Sequence, residues 1–277
     1  MKVQALFDPA TFTLTYVVFD ETSGDAVVID PVLDYDPLAG DTSSASLEKV
    51  DAFVGEHGLR IHYVLETHVH ADHVTGAAHL RALRGAEVVI GKRIAEVQAS
   101  FEEAFALGTT LAIDGSQFDR LVDDGDELHA GTLMIGVIAT PGHTPTCVTY
   151  RIGDAVFTGD ALFIEDFGTG RCDFPAGSAD ELYSSVHGKL YSLPDETRVF
   201  VGHDYQPGKR ELRFETTIGV SRSSNVQLKS ETSREDFVRF REGRDATLTP
   251  PRLFLSSVQR NVNAGMPLDL ARIRRAA

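Results

Sequence analysis

The 277-residue sequence predicts an α/β protein in which two sheets pack face to face and are covered by helices. Short apolar runs bounded by Gly, Pro and Asp predict strands, and segments with helical periodicity flank them. This arrangement occurs twice, once in each half of the chain. No segment is long or polar enough to separate two independent domains. We therefore expect one domain over residues 1–277, with a C-terminal extension from about residue 206 that packs on it.

The first half opens with three predicted strands, VQALF, FTLTYVVF and DAVVID. A helix follows, because Leu47, Val50 and Val54 fall on one helical face and Gly58 then stops it. IHYVLE predicts a buried strand, HVTGAAHLRALRG a helix, AEVVIG a strand and RIAEVQASFEEAFALG another helix.

The second half begins with the predicted strands GTLMIGVIAT, CVTYRIG and DAVFTGD. Ser178 and Glu181 have the spacing of a helix capping box, and the apolar residues that follow recur at helical intervals. TRVFVG predicts a further strand. Two more helices are expected near Ser233–Gly243 and Leu253–Ala264.

The composition excludes several classes of protein. Subtracting 41 Asp+Glu from 26 Lys+Arg gives a net charge of −15, which argues against nucleic-acid or anionic-membrane binding. Only Cys147 and Cys172 are present, so no disulfide framework is implied and a reducing compartment fits. No signal peptide or membrane-spanning stretch is predicted. We expect a cytoplasmic protein, and a homodimer is compatible with this composition.

Metal-capable side chains are crowded into the stretch LETHVHADHVTG, which contains His68, His70, Asp72 and His73. Three histidines and a carboxylate this close have no structural benefit without an ion to coordinate them. The other histidines are expected to be hydrogen-bonded structural residues; they are His57, His62, His79, His129 and His187.

Three further candidates follow predicted strands: His143 in ATPGHTP, Asp160 in VFTGDALF and His203 in VFVGHDY. Side chains at the carboxyl ends of strands converge in a common crevice, and the glycine before each candidate allows a tight turn. Four loops therefore bring seven donors together. The set contains imidazoles and carboxylates but no thiolate, which suits a catalytic Zn, Fe, Mn or Ni site.

The ordered motifs THVHADH, PGHT, TGD and GHDY resemble those of the metallo-β-lactamase fold. The resemblance implies an αββα sandwich of two mixed sheets flanked by helices, with the metal at one edge. Within that superfamily, THVHADHVTGAAHLR, TPGHTPTCVTYRIGD and FTGDALFIEDFGTGRCDF look most like the persulfide dioxygenases.

The spacing leaves open whether the site holds one metal ion or two. A dinuclear centre bridged by Asp160 would use all seven donors and would suit a thioester hydrolase of the glyoxalase II type. One ion bound by His68, His143 and Asp160 would instead form the facial triad of non-haem Fe(II) oxygenases.

The resemblance to persulfide dioxygenases implies one Fe(II) per chain, bound by His68, His143 and Asp160, with Zn or a dinuclear centre as the alternative. The remaining donors would then surround the site without binding the ion. The implied reaction oxidises glutathione persulfide, or a related small thiol persulfide, with O2 to sulfite and the thiol. A dinuclear hydrolase and a non-catalytic persulfide or metal sensor are the alternatives.

The substrate side is predicted from GTGRCDFPAG, in which the resemblance puts Arg171 and Asp173 near glutathione. Arg171 can bind a carboxylate through two parallel hydrogen bonds. The alternative is that it pairs with Asp173 or Asp166 and only braces its loop. Tyr205 directly follows the last histidine and is expected to face the same crevice. Cys172 is given no catalytic role.

Overall fold

The strands form three sheets in the computed structural model, which describes residues 1–105 and 111–268. In chain order they are β1 (Lys2–Asp8), β2 (Thr13–Phe19), β3 (Asp25–Ile29), β4 (Val32–Asp36), β5 (Asp41–Ser43), β6 (Arg60–Leu65), β7 (Val74–Thr75), β8 (Glu87–Gly91), β9 (Arg120–Val122), β10 (Glu127–Ala130), β11 (Leu133–Ala139), β12 (Val148–Ile152), β13 (Ala155–Phe157), β14 (Arg198–Phe200) and β15 (Glu215–Thr217).

Two six-stranded sheets form the body of the protein. The first has the order β1-β2-β3-β6-β8-β9 and the second runs from β10 to β15 in chain order, while β5, β4 and β7 form a small third sheet. β3, β6, β8 and β9 pair in parallel, as do β13 and β14, and the other neighbours in the two large sheets are antiparallel. The prediction of two mixed sheets is therefore confirmed.

Apart from α5 (Ile218–Ser224), which the sequence did not predict, the helices lie close to where their periodicity predicted them. They are α1 (Ala45–Glu56), α2 (Ala77–Arg84), α3 (Ile94–Phe105), α4 (Ala179–Gly188), α5 (Ile218–Ser224), α6 (Arg234–Asp245) and α7 (Phe254–Asn261). The Ser178 side chain caps α4 by accepting a hydrogen bond from the Glu181 N–H. The second predicted helix begins only at Ala77, because the residues before it form β7. The predicted end of α3 at residues 106–108 lies outside the described residues.

The alternation of side chains along β2 shows that the first sheet lies between two apolar cores. Leu14, Tyr16 and Val18 belong to the core between the two sheets. Val17 and Phe19 point the other way, into the core beneath the helices that cover the first sheet. Since successive side chains of a strand face opposite sides, a strand such as β2, in which every residue is buried, is covered on both faces. No helix among the described residues is long and apolar enough to cross a membrane.

The C-terminal extension contributes to both cores. β15 pairs with β14 and so adds an edge strand to the second sheet, an element that the sequence did not predict. Phe237 on α6 is buried and lies 6.1 Å from Tyr183 of α4 between ring centroids, whereas Val258 on α7 packs into the core beneath the helices that cover the first sheet. The extension is thus joined to the domain by a strand and by buried side chains.

An ion pair at the end of α6 is buried. The guanidinium of Arg241 donates to Asp245 Oδ1 from Nη2 at 2.6 Å and from Nε at 3.0 Å, and the two residues are 1% and 5% exposed. Asp245 Oδ2 accepts from the Cys172 N–H at 2.8 Å, so this pair also connects α6 to the loop that follows Asp160.

Replacing Arg241 by Met should lower the free energy of unfolding by about 3 kcal/mol, because Asp245 would keep a buried charge without its partner. Arg239→Met on the same helix is the matched control. Its side chain is 75% exposed, so the change there should stay within about 0.5 kcal/mol. Urea unfolding of the metal-free protein measures both. Equal stability of the two variants would show that the buried pair does not hold the extension in place.

Candidate metal centre

The predicted donors lie at one edge of the two large sheets. His68, His70, Asp72 and His73 follow β6, and His143, Asp160 and His203 follow β11, β13 and β14. The Leu14 N–H donates to the Gly202 carbonyl at 2.9 Å, and Thr13 forms a β-bridge with His203, which ties the first sheet to the second at this edge. The structure therefore brings together side chains from all four loops that the sequence singled out.

Glycine allows two of these loops to approach their neighbours closely. Gly159, directly before Asp160, has a φ of +49°, and a Cβ there would lie 2.4 Å from Thr67 Oγ1. Gly142, directly before His143, has a φ of +144°, and its Cβ would lie 2.4 Å from the backbone of Leu182. A side chain at either position would push a donor out of place.

His68, His143 and Asp160 form a group whose ligand atoms all lie within 4.8 Å of one another. All three are buried, and both His68 Nε2 and Asp160 Oδ1 lack a hydrogen-bond partner. Buried polar atoms without partners are costly, and a bound cation would satisfy both. Burial and the neighbouring His70 and His143 hold the pKa of His68 well below its ordinary value, so its lone pair is free for a metal. The residues present thus fit a metal ion.

A backbone carbonyl orients His143. Its Nδ1 lies 2.5 Å from the carbonyl oxygen of Arg171, so Nδ1 carries the proton and donates it to that oxygen. The other nitrogen, Nε2, faces the centre and lies 3.5 Å from Asp160 Oδ2. A hydrogen bond of this kind fixes both the tautomer and the orientation of a metal-binding imidazole.

His70 lies in different groups, one with Asp30 and Glu66 and one with Asp72 and His73. Its Nε2 is at ion-pair distance from two carboxylates, 3.0 Å from Asp30 Oδ1 and 3.4 Å from Glu66 Oε2, and neither ring nitrogen makes a well-formed hydrogen bond. Burial disfavours the charged ring, but the two carboxylates outweigh it and hold the pKa of His70 well above its ordinary value.

Asp72, His73 and His203 form the other side of the centre. His203 Nε2 is 3.4 Å from both Asp72 Oδ2 and Asp160 Oδ1, and its Nδ1 donates to the Phe12 carbonyl at 3.2 Å. Burial lowers the pKa of His203, but Asp160 and Asp72 outweigh this and raise it overall. His73 Nε2 is buried without a partner. A second ion would find ligand atoms here.

Two residues that support the metal loop escaped the sequence prediction. Asp30 accepts hydrogen bonds from the Thr67 N–H at 2.8 Å and the Thr67 hydroxyl at 2.7 Å, and it holds a left-handed φ of 48°. It directly follows β3, so the strand-end rule used for the other donors would have found it. Asn261 on α7 donates to the carbonyls of His70 and His73 at 2.9 and 2.8 Å. No sequence spacing signals a contact between positions 191 residues apart.

Beside the centre lies a cavity of about 390 Å³, lined in part by His143 and Asp160 and by all three predicted substrate residues. Arg171 donates from Nε and Nη2 to the two carboxylate oxygens of Asp173, each at 2.5 Å, and from Nη1 to the Thr249 carbonyl at 2.8 Å. The alternative in which Arg171 pairs with Asp173 thus has direct geometric support. Its substrate role stays a prediction. Tyr205 stacks on His203 at 5.5 Å between ring centroids.

Neither cysteine is set up as a nucleophile. Burial raises the pKa of the Cys147 thiol to about 12 and that of the Cys172 thiol further still, so both stay protonated at neutral pH.

Comparison with known proteins places this geometry in a family. The family model described as Metallo-beta-lactamase superfamily matches residues 8–203. A probable metallo-hydrolase of Burkholderia pseudomallei is 46% identical, covering 96% of this chain and 93% of the relative. The mitochondrial persulfide dioxygenase ETHE1 of Homo sapiens is 34% identical, covering 97% and 91%. The crystal structure of ETHE1 from Myxococcus xanthus matches with a TM-score of 0.77 and 35% identity, covering 96% of this chain and 100% of that one.

The chain is shorter than some of its other relatives. It spans 60–61% of the length of three relatives named Beta-lactamase hydrolase-like protein.

Replacing Asp160 by Ala should abolish metal binding, because Asp160 is the only carboxylate of the group formed with His68 and His143. His203→Ala is the matched comparison, since it removes a buried donor outside that group and should leave most of the metal in place. Elemental analysis of each purified variant, with circular dichroism to verify folding, measures the difference. Loss of all metal from the folded His203 variant would make His203 a ligand.

Proposed function

The chain belongs to the metallo-beta-lactamase superfamily, and we propose that it is a mononuclear iron dioxygenase that oxidises glutathione persulfide or a related small thiol persulfide. One observation carries the proposal: His68, His143 and Asp160 form a buried group of two imidazoles and one carboxylate, while His70 Nε2 lies against Asp30 and Glu66. The likeness to two persulfide dioxygenases, each at about one-third identity, supports the same reaction.

Two imidazoles and one carboxylate are the ligand set of non-haem Fe(II) oxygenases. When bound there, Fe(II) would supply the redox chemistry with O2 that the oxidation of a sulfur atom requires. The overall reaction balances: glutathione persulfide, O2 and water give glutathione, hydrogen sulfite and one proton.

The chain's own residues would position the reactants and limit access of water. The Arg171 carbonyl fixes the orientation of His143, so the ligand geometry is set before substrate arrives. Phe163, Phe167 and Phe174 line the cavity next to His143 and Asp160. An apolar wall of this kind keeps bulk water from the reactive sulfur and strengthens the electrostatic interactions inside.

A second candidate function is a dinuclear hydrolase of the glyoxalase II type. The observation in its favour is the group of His70, Asp72 and His73, in which His70 Nδ1 and His73 Nε2 are buried without partners. The name of the Burkholderia pseudomallei relative, a probable metallo-hydrolase, points the same way. Two ions bridged by Asp160 would activate a hydroxide for attack on a thioester.

Protein purified without added metal should contain close to one iron per chain, because His68, His143 and Asp160 supply the ligand set of one non-haem Fe(II) ion. With glutathione persulfide it should consume one O2 per sulfite formed, and metal removal by a chelator should stop both. Elemental analysis measures the iron content, an oxygen electrode measures the O2 consumed, and a sulfite assay measures the product. A thioester such as S-lactoylglutathione is the control substrate. Two tightly held metals per chain, with thioester hydrolysis and no O2 uptake, would establish the hydrolase instead.

A further inference from the structure

The cavity beside the metal centre is lined by three arginines whose surroundings differ. Arg171 is paired with Asp173 and the Thr249 carbonyl, and Arg241 is paired with Asp245 inside the protein. Arg244 also lines the cavity, but it is exposed, and its guanidinium has neither a hydrogen bond nor an ion pair within residues 1–105 and 111–268. Of the three positive charges on the cavity wall, Arg244 is the one left available to a ligand.

We propose that Arg244 on α6 binds a carboxylate of the substrate's thiol carrier and so determines which persulfides the site accepts. The inference rests on the proposed function for the identity of the reacting group, but the anion-binding role stands on the cavity alone. An unpaired guanidinium on the wall of a cavity is suited to a carboxylate, because its planar donors match the two oxygens.

The other residues that line the cavity indicate the chemical character of the rest of the ligand. Apart from the metal centre, the carboxylate on the wall is Asp173, which Arg171 already neutralises. Much of the remaining lining is apolar. The apolar residues include Phe167, Phe174, Leu248, Pro250, Pro251 and Phe254. The cavity thus suits a small carrier with an apolar or peptide body and a carboxylate remote from its sulfur. A remote contact of this kind, if it is equally strong before and during the reaction, lowers KM without changing kcat.

A purely structural role for Arg244 is the competing explanation. Arg244 lies in the last turn of α6, where a cation interacts favourably with the negative end of the helix dipole. That role predicts a small loss of stability and no change in ligand affinity. Arg239, on the same helix but paired with Asp236 and absent from the cavity wall, is the matched control for the removal of one positive charge.

Titration calorimetry on the metal-loaded protein tests the proposal directly, with glutathione as the probe. Arg244→Gln should weaken glutathione binding about tenfold, the loss expected for one charge-assisted contact, whereas Arg239→Gln should leave it unchanged. Glutathione diethyl ester, which lacks both free carboxylates, should bind the parent protein and the Arg244 variant equally. Equal affinity of these two proteins for glutathione, or no measurable binding to the parent protein, would overturn the proposal.

Steady-state kinetics with glutathione persulfide then separates this proposal from the proposed function. Arg244→Gln should raise KM about tenfold and leave kcat within twofold, because the contact is remote from the metal. Arg171→Gln should behave differently: it should lower Tm and metal content together, since Arg171 braces the loop that orients His143. Glutathione binding that depends on Arg244, without any O2 uptake, would refute the dioxygenase and retain the subsite. O2 uptake with an unaltered KM in the Arg244 variant would refute the subsite and retain the dioxygenase.

Discussion

The burial of polar donors at the edge where the two large sheets meet is the constraint on which the rest of the structure depends. Free imidazole nitrogens and carboxylate oxygens in such a place destabilise the fold unless something satisfies them. The protein satisfies some internally, as when Asp30 and Glu66 engage His70. It leaves other buried donor atoms without hydrogen-bond partners, among them His68 Nε2, His73 Nε2 and Asp160 Oδ1. A bound cation would satisfy such atoms, so the same burial that makes the arrangement costly favours metal binding at this edge.

The C-terminal extension supports this arrangement from two sides. Asn261 on α7 holds the carbonyls of the metal loop, and Asp245 on α6 holds the N–H of Cys172 in the loop that presents a carbonyl to His143. Arg241 neutralises Asp245 inside the protein. The extension thus completes both the scaffold of the centre and, through Arg244, one wall of the adjoining cavity. A ligand bound against α6 would contact the same helix that braces the donor loop.

The fold and the donor set could be predicted from the sequence because both depend on local signals. Alternating and continuous apolar runs marked most strands of the two large sheets, and histidines directly after strands indicated a shared edge. β15 and α5 were missed because they are short and follow a polar stretch with no periodicity. The contact of Asn261 with His70 was out of reach, since it depends on how the chain folds back over 191 residues. The ion-pair partner of Arg171 could not be predicted either, because the sequence does not show which of two nearby carboxylates an arginine binds.

The distribution of charge in the cavity would allow an acidic protein to bind the anionic substrate that we propose. The chain carries a net charge of −15, but at physiological ionic strength exposed charges are screened beyond about 8 Å. What an entering ligand meets is therefore set by the nearest side chains. Asp173 cancels Arg171 and Asp245 cancels Arg241, which leaves Arg244 as an uncompensated charge on an otherwise largely apolar wall. Under the proposed function, pairing two of the three arginines would concentrate recognition at Arg244. The position of a carboxylate relative to the sulfur, rather than the total charge of the carrier, would then decide which persulfide fits.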